Sequence, residues 1–179
     1  MTETATGQPA WCLDDFTQPA AATGTGTTWR CFTDQVMGGV SRAQASHEQL
    51  AGNAALLLRG EVSLANNGGF VQVALDLSPD GGFVDVSQWS GVALTVRGKE
   101  QKWHVHLRTA DCRRPWQSYR AGFTAPREWS TVWLPFPAFE AHRLEAPLAT
   151  TAMRRLGIIA IGEPGPVEIA VARVELRAN

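Results

Sequence analysis

Short runs of alternating polarity, each ended by Gly, Pro or Asn, limit what this chain can fold into more than any other feature. In "KWHVHLR", Trp103, Val105 and Leu107 fall on one face of an extended strand and His104, His106 and Arg108 on the other, because successive side chains of a strand point to opposite sides. "EWSTVWLPF" repeats the pattern, with Trp129, Thr131 and Trp133 opposed to Ser130, Val132 and Leu134. Strand-length stretches recur at "AALLLRG", "GFVQVALDL", "GVALTVRG", "SYRAGF" and "LGIIAIG". So many short, turn-bounded strands predict an all-β sandwich or barrel. "VEIAVARVEL", near the C-terminus, is too mixed to orient. The only helix predicted is a turn or two over "LATTAMRRLG", where Met153 and Leu156 would share a helical face ahead of a glycine stop.

Composition narrows the function classes. With 179 residues, 44% of them hydrophobic and 18% charged, the chain suits one globular domain with a core of its own. A formal net charge of −1 gives no electrostatic reason to expect nucleic acid as a partner. No stretch approaches the roughly 18 apolar residues of a membrane helix, so membrane insertion is not expected. Cys12, Cys31 and Cys112 are odd in number and lack a Cys-x-x-Cys spacing, and "MTETATGQPAW" has no apolar signal region. Reduced thiols and a cytoplasmic location are the expectation. Residues 1–10 read as a flexible leader and 11–179 as a single β-sandwich domain.

Two glycine pairs stand out: "FTDQVMGGVS" at Phe32–Ser41 and "NNGGF" at Asn66–Phe70. Adjacent glycines lose much backbone freedom on folding, so an ordered protein keeps them for a reason. On the structural reading they are tight corners, with Met37 filling a core gap and Asp34 and Ser41 hydrogen-bonding loop amides. On the functional reading they form a surface facing a partner or ligand at one end of the sandwich. Neither is a phosphate loop, because the G-x-x-x-x-G-K-[ST] pattern is missing and no helix signal follows.

Together, "DQVMGGVS" and "GEVSLANNGGF" resemble the complex I intermediate-associated protein 30 family, which couples a D-x-V-M-G-G-x-S element to a later S-L-x-N-x-G-G-F element. The likeness continues through "WSGVALTVRG", "QSYRAGF", "WSTVWLPFPAF" and "LGIIAIGEPGPVEIAVARVEL". The first element falls on Asp34, Val36, Met37, Gly38, Gly39 and Ser41, and the second on Ser63, Leu64, Asn66, Gly68, Gly69 and Phe70. The resemblance implies a galactose-binding-domain-like jelly roll with at most one or two short helices. It also implies a non-catalytic, assembly-assisting role through protein contacts, with respiratory complex I subunits or assembly intermediates as partners and no cofactor.

Other constellations carry different chemistry. His104 and His106, two apart on a strand, point the same way and with Asp111 resemble the first half of a cupin metal motif, whose second half is missing. Trp103 or Trp116, with His104, His106, Arg108 and Tyr119, would form a carbohydrate or small-ligand groove if they lined a concave face, although core packing is the plainer expectation for the tryptophans. No nucleophile elbow is present, and Asp14-Asp15 beside Phe16 reads as a polar strand edge. The reading is a non-enzymatic binding or assembly module, with a carbohydrate-binding module second and a metal-dependent enzyme third.

Overall fold

A computed structural model of the chain describes residues 9–18 and 23–178, so most of the expected leader lies outside the described residues. Two antiparallel sheets face each other. The strands are β1 (Ala10–Asp14), β2 (Arg30–Thr33), β3 (Arg42–Leu50), β4 (Asn53–Val62), β5 (Phe70–Asp76), β6 (Gly91–Gly98), β7 (Lys102–Thr109), β8 (Ser118–Thr124), β9 (Ser130–Pro135), β10 (Glu140–His142), β11 (Met153–Ile161) and β12 (Gly165–Arg177). The first sheet runs β3-β4-β12-β6-β9, and β1 also pairs with β12; the second runs β10-β8-β7-β11-β5-β2. Helical structure among the described residues is confined to single 3-10 turns at Asp34–Met37, Ala65–Asn67 and Phe136–Ala138. The all-β sandwich expectation holds.

Alternation decides which side chains fill the space between the sheets. Trp103, Val105 and Leu107 of β7 are fully buried, as are Leu94 of β6, Leu156 of β11 and Ile169 of β12. β12 is the longest strand and organises the first sheet. Its first half pairs with β4, from Gly165↔Val62 to Val171↔Leu56, and its second half with β1, from Val174↔Asp14 to Arg177↔Ala10. A register shift between Val171 and Arg173 explains why its sequence cannot be oriented. One extra residue turns the inward set from Ile169 and Val171 to Val174 and Leu176, all buried.

The helix expected over "LATTAMRRLG" is not there. Ala149–Ala152 is a turn closed by the Ala152 N–H on the Ala149 carbonyl, and β11 starts at Met153. A second register shift between Met153 and Arg155 puts Met153 and Leu156 on the same inward side of the strand. A bulge has produced a three-residue spacing that resembles a helical face.

Candidate functional site

Both glycine motifs are loops that carry the chain from one sheet to the other. Residues 34–41 link β2 to β3, residues 63–69 link β4 to β5, and both lie at the end of the sandwich where β12 begins. The first loop opens with Thr33, whose hydroxyl caps the Asp34–Met37 turn by accepting from the Gln35 N–H at 3.2 Å. Gly38 follows at φ +86°, a left-handed corner that suits glycine. The Gln35 amide donates to the Ser41 carbonyl at 2.9 Å and closes the loop on itself.

Asp34 joins the two loops. Its side chain is fully buried and accepts from the Ser41 N–H at 2.9 Å, the Ser41 hydroxyl at 2.5 Å, the Gly69 N–H and the Phe70 N–H at 3.3 Å. Ser41, itself buried, accepts from the Ser63 N–H at 2.9 Å. The outer glycines of the pairs set the corners, and the inner ones make room. A Cβ on Gly39 would lie 2.3 Å from the Asp34 carboxyl carbon, and one on Gly68 would lie 2.4 Å from its Oδ2. Asn66 adds a bond from its amide to the Gly38 carbonyl at 3.3 Å, from a left-handed backbone at φ 57°. Burial alone would raise the Asp34 pKa. The Ser41 hydroxyl and the N–H groups of Gly69, Ser41 and Phe70 outweigh it and hold the carboxyl below its ordinary value.

Met37 does not fill a core gap. It is 60% exposed, alongside Val36 at 71%, Val40 at 46% and Leu64 at 47%. The buried carboxylate thus fixes two loops whose apolar side chains face water. Beneath them Phe32 and Phe70, on neighbouring strands, stack edge to face at 6.1 Å.

The residues expected in a groove separate. Trp103 and Tyr119 lie between the sheets, with the Tyr119 hydroxyl donating to the Ala146 carbonyl at 2.7 Å, so neither forms a platform. Trp116 is exposed on the β7–β8 connection. Arg108 is committed to carbonyl oxygens of that same connection, those of Pro115 and Gln117 among them at 3.0 and 3.1 Å. His104 and His106 do share the outer face of the second sheet. Asp111 is exposed in the turn after β7, and no group of three or more His, Cys, Asp or Glu side chains that could hold a metal ion occurs among the described residues. The cysteines are unbridged. A hollow of about 410 Å³ lies on the outer face of the first sheet over Leu57 and Ala170, away from both glycine loops.

A sandwich of two antiparallel sheets, with its corner loops fixed by one buried carboxylate, defines a jelly-roll module. This chain belongs to the complex I intermediate-associated protein 30 family, whose family model matches residues 15–171. Among solved structures it is similar to the family 11 carbohydrate-binding module of the cellulosomal cellulase Lic26A-Cel5E of Clostridium thermocellum. That likeness has a TM-score of 0.73 at 13% identity and covers 97% of this chain and 96% of that one. It is also similar to the family 30 module of the cellulase Cel9D-Cel44B from the same organism, with a TM-score of 0.68 at 11% identity over 96% and 98% of the two chains. No curated protein matches it by sequence.

Proposed function

We propose that this chain is a non-enzymatic docking module whose binding surface is the apolar tip formed by Val36, Met37, Val40 and Leu64. The observation that carries this reading is the exposure of these four side chains on loops held by Asp34. Exposed apolar groups on an ordered scaffold gain most by being covered, and a pre-fixed loop loses little entropy when it docks. Methionine suits such a surface because its unbranched, polarizable side chain adapts to the shape it meets. The family points to the partner, a subunit or assembly intermediate of respiratory complex I.

A carbohydrate, the ligand class named for the fold neighbours, is the weaker reading. Of the tryptophan and tyrosine platforms that would stack on sugar rings, Trp103 and Tyr119 are interior, and the rings on the outer face of the second sheet, Phe32 and Phe70, pack edge to face on each other.

The test pairs immobilised wild-type protein with a Met37→Asp, Leu64→Asp double variant, each exposed to detergent-solubilised respiratory membranes. Complex I subunits are expected on the wild type and at least about tenfold fewer on the variant, with melting temperatures that agree. Equal retention on the two, or retention on neither, would sink the proposal.

A further inference from the structure

The outer face of the second sheet holds polar groups that the docking surface does not use. The strand register places Glu140, Arg120, His106, Gly157, Ala74 and Arg30 in one row across all six strands. A second row runs Gly122, His104, Ile159, Gln72 and Phe32. Small residues leave space at the centre, and polar side chains lean into it. The Gln72 amide nitrogen comes within 2.1 Å of where a Cβ on Gly157 would be, and the His104 ring lies over Gly122.

These groups have few partners. His106 is 8% exposed, and its Nε2 has no hydrogen-bond partner; the Nδ1 of His104 is likewise buried and unpartnered. Buried polar atoms normally find a partner, so two on one face call for an explanation. Arg120 spends its Nε on the Ser118 hydroxyl at 3.1 Å and makes no ion pair among the described residues, although Glu140 is its neighbour in the row. Arg30 and Arg155, further along the face, both pair with Asp76 and are compensated. What remains is an unpaired guanidinium beside imidazoles, with a third imidazole, His142, next to it on β10.

We propose that this trough binds an anionic group, a phosphate or a carboxylate, held by the guanidinium of Arg120 and the imidazoles of His104 and His106. A guanidinium fork matches the oxygen geometry of either anion, and the Gln72 amide adds a neutral donor. Electrostatics agree with the geometry. Burial first, then Arg120, His104 and His142, push the His106 pKa down to about 3; on His104 burial, Lys102 and Arg120 act in the same direction, and Glu163 opposes them. An anion supplies an acceptor for an imidazole N–H and a counter-charge for the Arg120 guanidinium, which makes no ion pair among the described residues. The inference is independent of the docking surface, which lies at the end of the sandwich.

The test follows the side-chain resonances of all four histidines during titration with inorganic phosphate and, separately, with galacturonate. Saturable movement of His104, His106 and His142 is expected, with His47 on β3 of the first sheet unmoved. Arg120→Gln should weaken binding by about tenfold or more. If that variant does not fold, Arg120→Lys, which keeps the charge and loses the fork, should weaken it by a few-fold. Saturation by phosphate alone assigns a phosphoryl ligand, by galacturonate alone a uronate-bearing one, and by both a site for either anion. The proposal is overturned if neither anion gives saturable movement, if His47 moves with the others, or if a folded Arg120→Gln protein binds as well as wild type.

Discussion

Asp34 shows how one side chain can give two distant sequence motifs their form. The sequence led to the right expectation for its chemistry, since an acid and a serine flanking a Gly-Gly pair are the groups that bond loop amides. It did not reveal that the second Gly-Gly pair surrounds the same carboxylate, because the Gly69 and Phe70 donors lie 35 and 36 residues away. Nor did it show that Met37 faces water, since a methionine among glycines looks like a plug until the corner geometry is known. Asp34→Asn places an amide N–H₂ where donors already converge, and should lower the unfolding free energy by about 2–4 kcal/mol, measurable by urea denaturation. The pH dependence has a definite sign. The folded-state pKa of Asp34 is depressed, so its contribution is complete above about pH 4 and is lost as pH falls through the folded value. The acid limb of the wild-type stability curve should therefore be steeper than that of Asp34→Asn; equal limbs would contradict the assignment.

At the scale of strands, legibility followed regularity. β7 and β9 alternate cleanly and their two faces could be told apart, although in β9 only the structure shows that Val132 and Leu134, not Trp133, face the core, whereas β11 and β12 each carry a bulge that interrupts the period of two. β3 escaped notice because "RAQASHEQL" is mostly polar, its apolar residues being only Ala43, Ala45 and Leu50, as suits a strand at the sheet edge with no fully buried residue. β7 carries a prediction of its own. His106 is neutral in the folded protein, with its pKa lowered to about 3 by burial and by neighbouring bases, against about 6.5 when unfolded. Its stabilising contribution is present above pH 6.5 or so and erodes as pH falls toward 3, by at most about 1.4 kcal/mol per unit. Replacing His106 with Gln should flatten the stability profile between those limits, as read by thermal or denaturant unfolding; an unchanged slope would contradict the burial of a neutral imidazole. On β12, Glu175 is buried between Arg173 at 2.7 Å and Arg177. Glu175→Ala should cost about 1–3 kcal/mol, because it strands two guanidinium groups over the β1–β12–β6 ladder.

Across the whole molecule, the pairings that close the sandwich are long in sequence. β1 meets β12, and β12 lies between β4 and β6. Loop-closure entropy must be met before such pairings contribute, so refolding from denaturant should take milliseconds to seconds. Stopped-flow fluorescence of the tryptophans would show this, and complete recovery within microseconds would contradict the topology.

The pairing of β1 with the end of β12 also has a consequence for how the protein is held. Ala10 and Arg177 are register partners, so the chain enters and leaves at a common point. The apolar tip sits at the other end of β12, beside Gly165 and Val62. Thirteen extended residues separate these two poles, a span of about 40 Å. A tether or neighbouring segment attached at the strand ends would grip the module like a handle, leaving the opposite tip free to reach forward and probe.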